Sequence, residues 1–198
     1  MARKMGGKAL THEEHALLIG RDGKEIMQLL CQMRGLIGNV DQLNNLRREH
    51  YNRLRLAGIP VIRENVELVR EFANLSIGLR FSAVSSAPRT DIDENLVAAG
   101  LTDFFEHAVS AKEAQLKRKP APDLWLWTMR QMGLAADECL AFEDSPTGVA
   151  SAKSAGLIVI ALPSPSTATL EFPTAELVIR PGEKKSATEI IKRFAQGR

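Results

Sequence analysis

The sequence predicts an α/β protein in which helices cover both faces of a parallel β-sheet, preceded by a small helical unit. Three observations predict it. From about Val61 onward, short apolar runs alternate with helical patterns, as they do in β-α-β units. In the first third, apolar residues recur at three- and four-residue steps, which indicates helices. The length of 198 residues suits one domain with a small appendage. We therefore assign residues 1–62 to the helical unit and residues 63–198 to the α/β unit.

The helical unit carries recognisable helix starts and stops. Thr11, followed three residues later by Glu14, matches a capping box, in which two side chains satisfy free N–H groups at a helix start. The segment Lys24–Met33 places its apolar residues on one helical stripe. Asp41 is the candidate cap of a longer helix that ends at Gly58, because aspartate favours helix starts and glycine favours helix ends.

The α/β unit contains five candidate strands, each a short apolar run between turn residues. They are Leu79–Val84, His107–Val109, Cys139–Phe142, Leu157–Leu162 and Leu177–Ile179. The helices between the first four strands have start signals and glycine stops. They run from Thr90 to Gly100, from Pro122 to Gly133 and from Ser145-Pro146 to Gly156, and Ser186 with Glu189 caps a last helix, Ala187–Ala195.

Composition and charge exclude several classes of partner. The 44% hydrophobic content and the net charge of +2 are ordinary for a globular protein. No stretch approaches the roughly 20 apolar residues of a membrane span, and no signal-peptide pattern follows the basic N-terminus. The segment L-R-R-E-H-Y-N-R-L-R-L carries four arginines, but Glu49 interrupts them, so we interpret it as a solvent-exposed helix face rather than a nucleic-acid site. Cys31 and Cys139 form no C-x-x-C pair, which favours a reducing, cytoplasmic setting.

Three groups of reactive side chains follow the predicted strands. In an open α/β sheet, ligands bind beyond the carboxyl ends of the strands. Ser85 and Ser86 follow the first strand and offer hydroxyls and backbone N–H groups to a phosphate oxygen. Glu143 and Asp144 follow the third strand, and adjacent carboxylates are hard oxygen ligands that suit magnesium. Lys119 lies between them along the chain, in a stiff, proline-rich loop before a helix.

Each group also has a simpler interpretation. The two serines are common turn residues before a helix, and the lysine alone is an ordinary surface residue. The two acids alone could simply interact favourably with the positive end of the dipole of the following helix. The three groups occur in this order, and each lies at or beyond the end of a strand. Together they indicate phosphate chemistry far more specifically than any one group does alone.

The segments that hold these residues resemble motifs of a known family. Motifs II, III and IV of the haloacid dehalogenase superfamily are similar to S-A-V-S-S-A-P-R, K-R-K-P-A-P-D-L-W and A-F-E-D-S-P-T-G-V-A-S-A-K-S-A-G. The phosphoglycolate phosphatase and β-phosphoglucomutase group looks most similar, over nearly the whole chain. The resemblance implies a Rossmann-like core with an inserted α-helical cap. By position, Ser85 resembles the residue that hydrogen-bonds the transferring phosphoryl group, and Lys119 the lysine that offsets its charge. Glu143 and Asp144 resemble the acids that hold Mg²⁺ directly or through water.

The same resemblance points to a missing element. In this family the nucleophile is the first aspartate of a D-x-D-G motif at the end of the central strand, and this sequence has no D-x-D-G. Asp22-Gly23 follows a polar helix rather than an apolar strand, and Asp91 and Asp93 lie in the first turn of a predicted helix, where acids serve as caps. We therefore expect this chain to lack both the nucleophile and the central strand, which would lie between the strands ending at Ser85 and Glu143.

The expected absence of this strand has a predicted cost. A central parallel strand buries both faces, so losing about four apolar side chains at roughly 1.5 to 3 kcal/mol each forfeits roughly 6 to 12 kcal/mol. A whole domain is typically stable by about 5 to 15 kcal/mol. We therefore expect the isolated chain to be marginally stable, unless the flanking strands close up or another molecule fills the gap.

Two functions from different classes agree with these residues. The first is a Mg²⁺-dependent phosphatase that acts on a small phosphorylated metabolite through an aspartyl-phosphate, and is inactive in a chain without the nucleophile. The alternative is a degenerate member that serves as a phosphometabolite-binding or regulatory module, and a sugar phosphomutase is a neighbouring activity within the family. Arg21 and Lys24 are the candidates for binding an anionic substrate from the cap, or are simply solvent-facing charges at a helix start. We expect a monomer or homodimer with neither nucleic acid nor membrane as a partner.

Overall fold

The structure is a computed structural model that describes residues 10–11, 14–15, 17–19, 21–35 and 38–195. It divides into two compact units, Met1–Pro60 and Val61–Arg198. The assignment of the first unit as a cap stays a prediction. Over the described residues, no helix combines the length and apolar character that crossing a membrane requires.

The first unit contains helix α1 (Gly23–Arg34), which begins at a capping box. The Asp22 carboxylate accepts hydrogen bonds from the N–H groups of Lys24, at 2.7 Å, and Glu25, at 2.9 Å, and the Glu25 carboxylate accepts one from the Asp22 N–H. The helix ends at Gly35, whose φ of 60° lies in the left-handed region that glycine adopts without strain.

Helix α2 (Val40–Leu56) also lies in the first unit, and it packs against α1. The prediction of Asp41 as its cap is wrong, because the Asn39 side chain accepts the N–H groups of Asp41, at 2.9 Å, and Gln42, at 3.2 Å. Asp41 lies instead in the first turn of the helix, where its charge favours the positive end of the helix dipole.

The predicted capping box at the beginning of the described chain is confirmed. The Thr11 N–H donates to the Glu14 carboxylate at 2.8 Å, and the Glu14 N–H donates to the Thr11 hydroxyl oxygen at 3.2 Å.

The second unit alternates strands and helices, as predicted. Its elements are α3 (Arg63–Ala73), β1 (Phe81–Ser85), α4 (Arg89–Ala99), β2 (Phe105–Ser110), α5 (Asp123–Met132), β3 (Leu140–Glu143), α6 (Pro146–Ser154), β4 (Ile158–Ala161), β5 (Leu177–Val178) and α7 (Ala187–Ala195). Two single turns of 3₁₀ helix, Thr102–Phe104 and Ala136–Glu138, precede β2 and β3. Ser186 caps α7 as predicted, since its hydroxyl oxygen accepts the Glu189 N–H at 3.2 Å.

The strands pair in parallel, but in two separate sheets among the described residues. β1 pairs with β2, up to Ser85 opposite Ser110. β3 pairs with β4, from Leu140 opposite Ile158 to Glu143 opposite Ala161, and β4 pairs with β5. No described ladder joins β1 to β3. A strand missing between them would produce this division, and that absence stays a prediction.

Helices cover both faces of the three-stranded sheet. Alternate side chains of β3 and β4 point to opposite faces, and each face has its own apolar cluster. The cluster shared with α5 and α6 includes Met129, Ala141, Val149, Ala152 and Val159. The cluster shared with α3 and α7 includes Leu68, Phe72, Leu140, Phe142, Ile160 and Ile190. The predicted two-sided covering is therefore confirmed for β3 and β4.

The second of these clusters also reaches β1. Phe81, at the start of β1, packs against the cluster that holds Phe142 of β3. All five residues of β1 are nevertheless only partly buried, whereas three of the four residues of β4 are fully buried. The difference is expected, because β4 has a paired strand on each side and β1 has one on a single side.

Candidate active site

Lys119 joins the carboxyl ends of the two sheets. Its loop precedes α5, and its ammonium group Nζ donates a hydrogen bond to the carbonyl oxygen of Val84, in β1, at 2.8 Å. The same ammonium group forms a close ion pair with the carboxylate of Glu143, the last residue of β3. The side chains of Lys119 and Glu143 are 14% and 6% exposed. The structure thus brings together the cation and the acid that the sequence placed after different strands.

The two serines lie at the same edge as Lys119. The Ser85 hydroxyl oxygen accepts the N–H of Ala87 at 3.1 Å, and the Ser86 hydroxyl oxygen accepts the N–H of Lys119 at 3.2 Å. Because each oxygen acts as an acceptor, the hydroxyl hydrogen remains able to donate. Two donors therefore stand beside the lysine, and phosphate oxygens accept such hydrogen bonds readily.

The loop after β1 offers fewer backbone donors than the sequence suggested. The Ala87 N–H is engaged by Ser85, and the Arg89 N–H donates to the Glu113 carboxylate at 3.2 Å. The expectation of free N–H groups in Ser85-Ser86-Ala87-Pro88 is therefore wrong for Ala87, because the Ser85 side chain already accepts its N–H. Hydroxyl groups, rather than these amides, are the donors that the loop can present.

Glu143 is a buried carboxylate whose surroundings have opposing effects on its pKa. Burial raises the pKa of the Glu143 carboxyl, while the Lys119 ammonium and its hydrogen bond act in the opposite direction. The charge of the adjacent Asp144 also raises the pKa of Glu143. A further cation at this edge would therefore stabilise the ionised carboxylates.

Gly148 belongs to this site, although the sequence singled it out only as part of a motif. It lies in the first turn of α6, where its N–H donates to the hydroxyl oxygen of the cap, Ser145, at 3.1 Å. A Cβ atom at Gly148 would lie 1.9 Å from Oε2 of Glu143. The carboxylate thus packs directly on the glycine backbone. The motif E-D-S-x-x-G places the glycine five residues after the acid, but this spacing alone does not reveal the contact.

The donor set fits a magnesium ion. Asp144 is exposed directly after β3, next to the buried Glu143. Mg²⁺ is commonly held by one or two carboxylates, with water and substrate phosphate completing its six ligands. Among the described residues, no group of three or more His, Cys, Asp or Glu side chains is arranged to hold a metal ion.

The cap candidates Arg21 and Lys24 lie in the first unit, where each has a local partner. Arg21 Nε donates to the carbonyl oxygen of Leu17 at 2.7 Å, and Lys24 Nζ pairs with the Asp41 carboxylate at 2.6 Å. The hydrogen bond that Lys24 donates to the Asp41 carboxylate raises the pKa of Lys24, although both side chains are largely exposed. Their role in substrate binding stays a prediction.

The aspartates considered as nucleophiles lie in the first two turns of helices or directly before one. Asp22 caps α1 with its side chain, and Asp93 in α4 pairs with Arg89 at 2.8 Å. Asp91 lies in the first turn of α4. None of the three follows a strand, so none is placed like Glu143 or Ser85.

Comparisons with known proteins find a matching family and several relatives. The family described as haloacid dehalogenase-like hydrolase matches residues 1–162. Protein CbbY of Rhodobacter capsulatus is 38% identical over 118 residues, which is 58% of this chain and 51% of that protein. A phosphorylated carbohydrates phosphatase of Thermotoga maritima is 27% identical over 157 residues, which is 76% of this chain and 68% of that protein. The chain spans somewhat more than half the length of the first curated relatives it matches.

A solved structure shares the fold. A variant of CbbY from Rhodobacter sphaeroides, in complex with xylulose-(1,5)bisphosphate, superimposes with a TM-score of 0.70 at 22% identity. The match covers 89% of this chain and 81% of that one.

Proposed function

Because this chain belongs to the haloacid dehalogenase-like hydrolase family, we propose that its function is that of a Mg²⁺-dependent phosphatase for a small phosphorylated metabolite, with phosphorylated sugars as the substrate class. The observation that carries the proposal is the position of Lys119, whose ammonium group connects the end of β1 to Glu143 at the end of β3. The relatives named as carbohydrate phosphatase and as a xylulose bisphosphate complex support the substrate class.

The site residues divide the work of binding a phosphoryl group. Phosphoryl transfer spreads negative charge over oxygen atoms, so positioned donors and cations are the main requirement. Ser85 and Ser86 would donate their hydroxyl hydrogens to phosphoryl oxygens, and Lys119 would offset the charge. The loop after β1 is already tied to the lysine, because the Ser86 hydroxyl oxygen accepts the backbone N–H of Lys119 and the Val84 carbonyl accepts its ammonium group, which reduces the reorganisation that binding requires.

Glu143 and Asp144 would hold the metal ion. Bound there, Mg²⁺ supplies charge that neutralises phosphoryl oxygens and fixes their orientation. Glu143 would gain a second cation beside Lys119, which compensates the burial that raises the pKa of its carboxyl.

We also propose that this chain by itself binds phosphometabolites without hydrolysing them. The 198 residues contain no D-x-D-G, and the two aspartates with D-x-D spacing, Asp91 and Asp93, lie within helix α4 rather than at the end of a strand. Formation of an aspartyl-phosphate needs a carboxylate in line with the phosphorus atom. The absence of that motif is the observation that favours the alternative function, a binding or regulatory module.

Titration calorimetry of the full chain with inorganic phosphate, in the presence and absence of Mg²⁺, tests the proposal. We expect saturable binding that Mg²⁺ strengthens, and a loss of at least about tenfold in Lys119→Met, because removing a charge-assisted hydrogen bond costs about 1.5–3 kcal/mol. Lys117→Met is the matched control, since Lys117 is an exposed lysine in the same loop. Equal affinities of the wild type and Lys119→Met would contradict the assignment of Lys119.

A second measurement separates the enzyme from the binding module. One outcome is Mg²⁺-dependent hydrolysis of p-nitrophenyl phosphate by the purified chain, with trapped phosphate on one of its own residues. That outcome would contradict the proposal that the chain binds phosphometabolites without hydrolysing them. Tight binding of a sugar phosphate to a chain that melts cooperatively, without hydrolysis, would support the module.

A further inference from the structure

The Lys119 ammonium has a third neighbour besides Val84 and Glu143. Its Nζ lies 4.7 Å from the centroid of the Trp125 ring. A cation within about 6 Å of an indole centroid is attracted to the ring face. This contact differs from the ion pair with Glu143, because an aromatic ring, like the Val84 carbonyl, attracts the cation without neutralising it.

Packing fixes the position of the Trp125 ring. Trp125 is the third residue of α5 and packs on the cluster that includes Met129, Val149 and Val159. Its indole N–H is buried and has no acceptor among the described residues. The ring therefore acts through its apolar body and its face, while its N–H contributes no hydrogen bond within the described chain.

Trp127 provides a comparison within the same helix. It lies two residues further along α5 and packs on a different cluster, formed by Val109, Ala111 and Leu124. Both tryptophans are partly buried. Only Trp125 forms a described cation–π contact with Lys119.

We propose that Trp125 is a positioning residue for Lys119, holding the ammonium group at the carboxyl edge of the strands while leaving its charge available to an incoming phosphate. Lysine is a long side chain that loses considerable conformational freedom when it is fixed. Glu143 alone would fix the ammonium by cancelling its charge. The ring fixes it from a neutral surface, so a phosphoryl group meets a cation that is already in place. The consequence for phosphate binding rests on the proposed function.

The two tryptophans allow a direct spectroscopic test. The variant Trp127→Phe leaves Trp125 as the only tryptophan, and Trp125→Phe leaves Trp127 as the matched reporter. At a temperature where circular dichroism shows all variants to be folded, we expect Lys119→Met to change the emission intensity and maximum of the Trp127→Phe protein and to leave the Trp125→Phe protein unchanged. Unchanged Trp125 emission would overturn the proposal.

Phosphate affinity provides the second test. In the full chain, Trp125→Phe retains an aromatic face, whereas Trp125→Leu retains apolar volume without one. We expect Trp125→Leu to weaken the binding of inorganic phosphate by about 2-fold to 30-fold, the range that a cation–π contact supplies, with Trp125→Phe close to the wild type. Equal losses in both variants would overturn the positioning role. A wild type that binds no phosphate would refute the proposed function alone, because the emission comparison needs no ligand and still decides whether Trp125 holds Lys119.

Discussion

Replacing Gly148 by alanine tests whether the first turn of α6 fixes the Glu143 carboxylate. A Cβ atom at Gly148 would lie 1.9 Å from Oε2 of Glu143, whereas ordinary contacts begin near 3.4 Å. The carboxylate would have to retreat by about 1.5 Å. Such a retreat is costly, because the Glu143 side chain is buried and paired with Lys119.

Opposing contributions set the expected change in stability. In an ordinary helical position, alanine is more stable than glycine by roughly 0.5–1 kcal/mol. An extra carbon in a packed site costs about 1–3 kcal/mol, and breaking a buried ion pair costs up to about 3–5 kcal/mol. We expect a net loss of about 2–4 kcal/mol in the free energy of unfolding. The melting temperature should fall by roughly 4–16 °C, at about 2–4 °C per kcal/mol for a chain of this size.

Thermal unfolding, followed by circular dichroism in two backgrounds, measures this effect. In the native background we expect the destabilisation above, together with weaker Mg²⁺ binding in calorimetry. In the Glu143→Ala background there is no carboxylate to displace, so Gly148→Ala should be neutral or stabilising by roughly 0.5–1 kcal/mol. An unchanged or higher melting temperature in the native background refutes the reasoning. An equal loss of stability in both backgrounds also refutes the reasoning, because the alanine would then clash with a group other than Glu143.

Three further substitutions probe the surrounding fold. A hydrogen bond from Arg80 lowers the pKa of Glu106 below its ordinary 4.5, so this pair stabilises the fold at neutral pH and is lost as pH falls through the lowered pKa. The difference in melting temperature between the wild type and Glu106→Gln should therefore be present at pH 7 and disappear on acidification below pH 4.5. Ser145→Ala removes the cap of α6 and should cost about 1 kcal/mol in thermal unfolding, with recovery in Ser145→Thr. Leu124→Ala empties a fully buried position and should cost about 2–5 kcal/mol in chemical denaturation.

Strands were predictable where apolar residues run without interruption. The run Cys139–Phe142 located β3 to within one residue. β2 was predicted as His107–Val109, but it begins at Phe105. The adjacent polar residues Glu106 and His107 separate Phe105 from the apolar pair Ala108-Val109, so the apolar pattern detects only the end of the strand. The first strand was predicted to begin at Leu79, but β1 begins at Phe81. Leu79 is apolar yet 39% exposed, so a prediction from apolar residues alone made this strand too long.

Caps were predictable by residue type but not always by position. Asn39 and Asp41 are both favoured at helix starts, and they are two residues apart. The chain uses Asn39, because its side-chain oxygen reaches two N–H groups of the first turn. A choice between neighbouring capping residues depends on the direction from which the backbone enters the helix, which the sequence does not specify.

The candidate site was predictable as a set of strand-end residues. Parallel topology alone predicts that Ser85, Lys119 and Glu143 approach one another, since the carboxyl ends of the strands share an edge. The contacts that refine the site were not predictable. The approach of Gly148 to Glu143 and of Trp125 to Lys119 depends on how α6 and α5 sit on the strands, and those distances have no counterpart in residue spacing.

If Lys119 binds phosphate as proposed, it would couple ligand binding to the stability of the fold. No described ladder joins β1 to β3, yet Lys119 connects Val84 in one strand to Glu143 in the other. Removing the lysine would leave Glu143 buried without its cation, and breaking such a pair costs about 3–5 kcal/mol, a large part of the roughly 5–15 kcal/mol that keeps a domain folded. A lower phosphate affinity in Lys119→Met therefore has two physical sources, a lost contact to the ligand and a smaller folded fraction. Binding per folded molecule, obtained by melting the same samples, is the quantity that isolates the contact to phosphate.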